Sequence, residues 1–190
     1  MEFTILDING KVIGTASCDS SEIETYMSIN NGYEYIVGGG GLEDRYFDGL
    51  VMQVIPTRPS PNHVFNYVTK QWEDPRTLLD LKESQWHSIK QARALAEYAG
   101  FTWNGSVFDS DAISQNRITG AVTLAQLSPS FTIDWTLADN TVRTLNQVEM
   151  FQVGAALGTH VQTQFAKGQL LRVQIEAATT KEAIEAITWS

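Results

Sequence analysis

The sequence predicts an α+β protein in which a small antiparallel β-rich N-terminal module is followed by a mainly helical module with short β-hairpins. Two Asn-Gly pairs, at 9–10 and 104–105, lie between apolar segments, as tight hairpin turns do. After Thr77, apolar residues recur every three or four positions over long segments, which is the period of a helix. Three prolines within 56–61 predict an extended connector ahead of that change in period.

These patterns predict two domains: a β-rich module over 1–76, which includes the connector at 56–61, and an α+β domain over 77–190. The composition is that of a globular protein, since 43% of the 190 residues are hydrophobic and 18% are charged. A net charge of −9 without a Lys/Arg cluster makes nucleic acid and anionic membranes poor partners. Because the sequence contains neither a membrane-spanning apolar run nor a secretory pattern at its start, we expect folding in the cytoplasm.

The N-terminal module has several predicted elements. Alternating apolar residues over 3–14 predict a hairpin around Asn9-Gly10, and a capped helix is predicted over 20–29. Segments 33–37 and 50–55 predict strands. The glycine run 38–41 between them is interpreted as a flexible hairpin tip or as a place where another backbone approaches closely. A phosphate-binding loop is not expected there, because such a loop leads into a helix and usually carries a lysine.

The segment Val64–Trp72 predicts a further hairpin. Aromatic pairs across its two strands would explain Phe65, Tyr67 and Trp72 as a packed cluster. An exposed aromatic platform for carbohydrate is the alternative interpretation.

The C-terminal domain is predicted to begin with a linking helix over 77–99, which ends at Gly100. A hairpin-helix unit follows over 101–127. Within it, Asp109 is predicted to cap the helix while Phe108 and Ile113 meet as a hydrophobic staple.

The remaining elements are a hairpin over 131–144, a long helix over 145–178 and a terminal helix over 180–189. Thr144 and Gln147 are predicted to form a capping box for the long helix. A glycine inside a helix costs about 1 kcal/mol relative to alanine, so Gly154, Gly158 and Gly168 predict close packing or a break. The predicted packing stripe consists of Val148, Phe151, Ala155, Gly158, Val161, Phe165, Gly168, Leu171 and Ile175.

Candidate catalytic carboxylates are Asp109 and Asp111, two positions apart at a helix start, with Glu149 or Asp134 as further members. A carboxylate at a helix N-terminus accepts backbone N–H bonds and stays ionised, which suits a cap better than a general acid. A calcium site at Asp109 and Asp111 lacks the spacing of an EF-hand loop. The structural interpretation is therefore preferred for all four residues.

Cysteine and histidine do not indicate a site either. The single cysteine, Cys18, excludes an intrachain disulfide and a thiolate zinc site. His63, His87 and His160 show no ligand spacing. We predict no catalytic, cofactor-binding or metal site and no enzymatic activity. A hydrolase is the alternative, and it would need two carboxylates that face each other across a cleft.

Four features occur in order in the second half: the segment Trp103–Ala121, Trp135 ahead of Ala-Asp-Asn, a long helix with His160, and the terminal Glu182–Trp189. Together they resemble an uncharacterised C-terminal domain of tailed-phage tail proteins over Gln85–Ser190. The segment Val64–Trp72 resembles one that recurs in tail-fibre-related and tail-assembly proteins.

The resemblance implies a non-enzymatic structural component of a phage tail, such as a distal-tail, baseplate or fibre-attachment protein. Its partners would be other tail or fibre proteins and copies of itself, with a trimer as one option. It would be synthesised in the host cytoplasm and reside in the virion tail. The alternative is a tail-fibre assembly chaperone that is not retained in the virion.

Overall fold

The computed structural model describes residues 2–19, 21–22, 34–37 and 44–190, and the chain divides into two compact units, Met1–Arg76 and Thr77–Ser190. In the described residues, the first unit consists of short antiparallel strands, and the second contains four helices and two hairpins. The predicted α+β class is therefore confirmed. None of the described helices combines the length and apolar character that a membrane span needs.

The first unit contains a three-stranded antiparallel sheet in the order β2-β1-β3, formed by β1 (Glu2–Leu6), β2 (Val12–Ser17) and β3 (Glu34–Val37). The predicted hairpin at Asn9-Gly10 is present, and Gly10 has a φ of +77°. Its loop is longer than a two-residue turn because Asp7 Oδ1 accepts hydrogen bonds from the N–H groups of both Asn9 and Lys11.

Two further hairpins follow, β4 (Arg45–Phe47) with β5 (Met52–Val54) and β6 (Val64–Asn66) with β7 (Gln71–Glu73). The expected hairpin between strands 33–37 and 50–55 is wrong, since β3 pairs with β1 and β5 pairs with β4. The glycine run 38–41 and most of the predicted helix 20–29 lie outside the described residues.

The predicted aromatic cluster of the β6–β7 hairpin is confirmed. Phe65 is buried, and its ring centroid lies 5.1 Å from that of Tyr67 and 5.4 Å from that of Trp72. The Trp72 indole N–H donates to the Pro56 carbonyl at 2.7 Å, which fixes the proline-rich segment to this hairpin. Because Phe65 is buried and the Trp72 indole N–H is hydrogen-bonded, packing within the hairpin explains the cluster.

The second unit opens with α1 (Leu78–Tyr98), which lies where the linking helix was predicted. Thr77 and Asp80 form a reciprocal capping box. Gly100, with a φ of +91°, leads directly into β8 (Phe101–Trp103). The hairpin of β8 with β9 (Ser106–Phe108) turns at Asn104-Gly105 as predicted, and both turn residues have positive φ.

The predicted cap of the next helix, α2 (Ala112–Leu127), is wrong by two residues. Asp111 caps it, and its Oδ1 accepts from the N–H groups of Ile113 and Ser114. The intervening Ser110 is buried and its hydroxyl forms two hydrogen bonds, so the helix begins after this residue. The staple is absent as well, because Phe108 is buried whereas Ile113 is 63% exposed.

The hairpin of β10 (Thr132–Thr136) and β11 (Val142–Asn146) leads into α3, a single 31-residue helix from Gln147 to Ala177. The predicted Thr144 cap is wrong because Thr144 still lies in β11, opposite Asp134. Asn146 is the cap and forms a capping box with Glu149.

The predicted packing stripe of α3 is displaced in the first half of the helix. The residues buried along α3 are Met150, Val153, Leu157, Gly168 and Ile175, whereas Val148 is 58% exposed. Close packing is found at Gly154, where an added Cβ would lie 2.7 Å from Val122 Cγ2, and at Gly168, where it would lie 3.2 Å from Arg93 Cδ. At Gly158 the predicted close packing is wrong among the described residues, since an added Cβ would meet no atom within 4 Å apart from its own stretch of helix.

The terminal helix, α4 (Lys181–Glu185), is shorter than the predicted 180–189 and is capped by Thr180. Beyond it, Trp189 lies against α3, with Lys167 Nζ 4.8 Å from its ring centroid. The core of the second unit joins the β8–β9 hairpin to α2, β11 and α3 through Phe101, Phe108, Ile118, Ala121, Ala125, Leu137, Leu145, Met150, Val153 and Leu157.

Candidate functional site

A groove of about 600 Å³ runs between α2 and β10 in the second unit. Its α2 side carries Ser114, Arg117 and Leu124, and its β10 side consists of the consecutive residues 133–137, with Asp109 also lining the space. This volume is in the range of ligand-binding clefts, about 300 to 1,000 Å³. Consecutive strand residues point alternately to opposite faces, so a wall that contains four consecutive residues of β10, 133–136, is the edge of the strand.

The hairpin and helix that form the groove are fixed by the core beneath it. Ile118, Ala121 and Ala125 bury one face of α2, and Leu145 of β11 is fully buried against the same cluster. The helix side facing β10 is thereby left with Arg117, Gly120 and Leu124, all of them exposed. Packing therefore determines which α2 residues line the groove.

The four candidate catalytic carboxylates lie in different parts of the unit. Asp109 and Asp134 line the groove together, whereas Asp111 caps α2 and Glu149 completes the capping box of α3 with Asn146. Glu149 also lies 3.6 Å from the Arg143 guanidinium. Asp134 Oδ1 accepts from Thr144 Oγ1 at 2.6 Å, across the hairpin. Asp109 and Asp111, the pair suggested by the sequence, thus have different roles, since only Asp109 lines the groove. The two carboxylates that share the groove are those of Asp109 and Asp134.

The electrostatics of Asp111 are those of a cap. The Ser114 hydroxyl donates to its carboxylate at 2.7 Å, and this bond with the bonds from the Ser114 and Ile113 N–H groups holds the Asp111 pKa below its usual value. A carboxylate of lowered pKa is ionised at neutral pH and holds no proton to donate. Capping of α2 accounts for this residue.

Asp109 and Arg117 are the charged groove residues whose side chains form no hydrogen bond or ion pair with any residue in the described ranges. Both are exposed. Their charged atoms are therefore available to a ligand without first breaking an internal contact.

Metal-binding groups are not brought together. Across the described part of the chain, no three His, Cys, Asp or Glu side chains form a group that could hold a metal ion. His160 Nε2 lies 3.0 Å from the Glu97 carbonyl and its ring stacks on Phe101, while His63 Nδ1 lies 2.8 Å from Ser60 Oγ. His87 Nε2 contacts Gln91 Nε2 at 3.0 Å. Each described histidine contact is local or structural.

The groove was not predicted from the sequence, because neither Leu124 nor Trp135 carries a signal that the two lie on one surface. Ser110 was missed as well; its buried hydroxyl joins the end of α1 to the start of α2.

No curated protein and no solved structure matches this sequence. One family model matches residues 80–188, which is more than half of the chain and includes every element of the groove. The chain therefore belongs to the family described as Domain of unknown function (DUF4376).

Proposed function

We propose that this protein is a non-enzymatic structural component of a phage tail, in the distal tail, the baseplate or a fibre attachment, and that it acts through protein–protein contacts. The phage context is supported by the resemblance of Gln85–Ser190 and Val64–Trp72 to tail proteins. The mode of action is supported by the outward face of α3.

That face carries a set of exposed residues spaced alternately by four and three positions, which we call the α3 stripe. The stripe consists of Val148, Gln152, Ala155, Thr159, Gln162, Ala166, Gln169 and Val173. Alternating steps of four and three keep one seam of a helix facing a partner, as in coiled coils. No member of the stripe is charged, although all are exposed.

An uncharged stripe of this length favours a second copy of the chain as its partner. In a cyclic oligomer, helices around the symmetry axis bring identical side chains together, so that any charge would meet its own copy. Like charges at such spacing destabilise an interface. The resemblance to fibre-related proteins favours a trimer among the cyclic states.

Gln152→Glu combined with Gln162→Glu should therefore convert the oligomer of the full chain to monomer, since each copy would bring two added carboxylates to the axis. The matched control is Gln91→Glu combined with Gln174→Glu, two exposed glutamines outside the stripe. Light scattering coupled to size-exclusion chromatography measures the mass of both variants. A monomeric wild-type chain, or an oligomer that survives the stripe substitutions, would rule out association through the stripe.

The tail assignment is tested by mass spectrometry of purified particles of the phage that encodes the chain. A structural component is expected at a fixed copy number relative to the other tail proteins. Absence from finished particles, with presence during assembly, would replace the proposal by the assembly chaperone.

A further inference from the structure

The groove between α2 and β10 has an unpaired strand edge as one wall, and we propose that it binds an extended segment of a partner protein as an added β-strand. The segment would carry an apolar residue and a lysine or arginine on opposite faces. This inference concerns a different surface from the α3 stripe and does not depend on self-association through it.

The hydrogen bonds of the hairpin show which backbone groups of β10 point into the groove. Leu137 N–H donates to the Thr141 carbonyl at 2.8 Å, and the register continues as Trp135 opposite Arg143 and Ile133 opposite Leu145. Hydrogen-bonded pairs alternate with non-bonded pairs in an antiparallel ladder. The N–H and C=O groups of Thr132, Asp134 and Thr136 therefore point away from β11.

This outward edge faces β9 and α2. Ala138 is two residues after Thr136, so its backbone groups point to the same side of the hairpin. Its N–H donates to the Val107 carbonyl of β9 at 3.0 Å. The contact is not extended into a ladder, because the chain after Phe108 turns through Asp109 and Ser110 into α2. Over the described residues, no backbone bond joins Thr132, Asp134 or Thr136 to a neighbour on this side, and the sheet has two strands only.

An unpaired edge beside a helix is the arrangement used in β-strand addition, in which backbone bonds supply affinity and side-chain pockets supply specificity. The β10 strand has five residues. Two of its three outward-facing residues, Asp134 and Thr136, line the groove and offer up to two donors and two acceptors there. Leu124 and Ile133 provide an apolar lining for one face of an added strand.

The charges of the groove indicate that the added strand is basic and belongs to a different protein. Asp109 and Asp134 place two carboxylates along the groove against the single guanidinium of Arg117. A second copy of β10 fits poorly, since antiparallel pairing centred on Asp134 would set identical carboxylates opposite each other. An extended partner segment with a lysine or arginine opposite Asp134 has no such conflict.

To test the proposal, random peptides about twice the length of β10 are displayed on yeast and selected for binding to the immobilised full-length chain. The selected peptides should share alternating apolar and basic positions, and their affinities are then measured by calorimetry. Thr136→Pro removes one outward N–H and should weaken binding about tenfold. Proline is tolerated at an edge position whose N–H faces solvent. Asp134→Lys should reverse the preference from basic to acidic peptides.

The matched control is Val142→Pro, which removes an N–H on the far edge of the same hairpin and should leave the affinity within about twofold. N-methylation of alternate peptide nitrogens tests the same contact on the unaltered protein. Methylation of the nitrogens that face β10 should abolish binding, whereas methylation of the alternating set that faces away should not. Selection of no common pattern, equal weakening by both proline variants, or insensitivity to methylation would overturn the proposal. So would a glycan array in which sugars, rather than peptides, compete for the groove.

Discussion

Phe108→Ala is expected to lower the free energy of unfolding of the C-terminal unit by about 3 to 5 kcal/mol, the usual cost of removing a buried phenylalanine ring. The Phe108 side chain is fully buried, and its ring centroid lies 5.5 Å from that of Phe101 and 6.2 Å from that of Trp103. It joins the β8–β9 hairpin to the helices of the unit. Domains are stable by about 5 to 15 kcal/mol, so this one substitution removes a large fraction of the total.

The measurement is denaturant unfolding of the full chain, followed by circular dichroism. Val107→Ala is the matched control because Val107 is the preceding residue of β9, is 47% exposed and points to the opposite face. The control should change the unfolding free energy by less than about 1 kcal/mol. Equal destabilisation by both substitutions would contradict the placement of Phe108 at the centre of the core.

Elements with a strong local signal could be predicted from the sequence. The turn at Asn104-Gly105 requires positive φ at two successive residues, and this pair adopts it at low cost, so the hairpin was located to the residue. The α3 helix likewise has helical periodicity over its full length, and its interior glycines do not interrupt it. For such segments, local conformational preference and the final packing agree.

Helix caps were predicted less well because several residues with capping ability stand side by side. Asp109, Ser110 and Asp111 are all good N-cap types, and the choice among them depends on Ser110, whose hydroxyl bonds with α1 and the Gly100 N–H. At α3, Thr144 and Asn146 compete in the same way, and the pairing of Thr144 within β11 decides for Asn146. Tertiary contacts therefore determine where these helices begin.

The buried face of α3 and the groove depend on tertiary structure still more strongly. Alanine, glycine and valine occur around much of α3, so the sequence contains no narrow apolar stripe that would distinguish Met150 from Val148. In the groove, Asp109 and Asp134 are 25 positions apart and are brought together only when β10 lies beside α2. Periodicity predicts that β10 is a strand but does not predict which of its edges stays unpaired.

Ser110→Ala should destabilise the C-terminal unit by about 1 to 3 kcal/mol, even though it removes a single oxygen atom. The Ser110 hydroxyl is buried, donates to the Glu97 carbonyl at 2.5 Å and accepts from the Gly100 N–H at 2.9 Å. Alanine leaves the Gly100 N–H, which is part-buried beside residue 110, without its acceptor. The cost arises from this unsatisfied donor, because the change in side-chain volume is small.

Ser88→Ala isolates that cost from the general effect of the substitution. Its hydroxyl is exposed and donates to the Ser84 carbonyl within α1, so the loss should be within about 0.5 kcal/mol. Hydrogen exchange at the Gly100 amide provides a second, local measurement, since the Ser110 variant should lose protection there before the rest of the unit unfolds. If Ser110→Ala unfolds like Ser88→Ala and keeps Gly100 protected, the hydroxyl does not hold α1 to the start of α2, and the displaced cap at Asp111 needs another explanation.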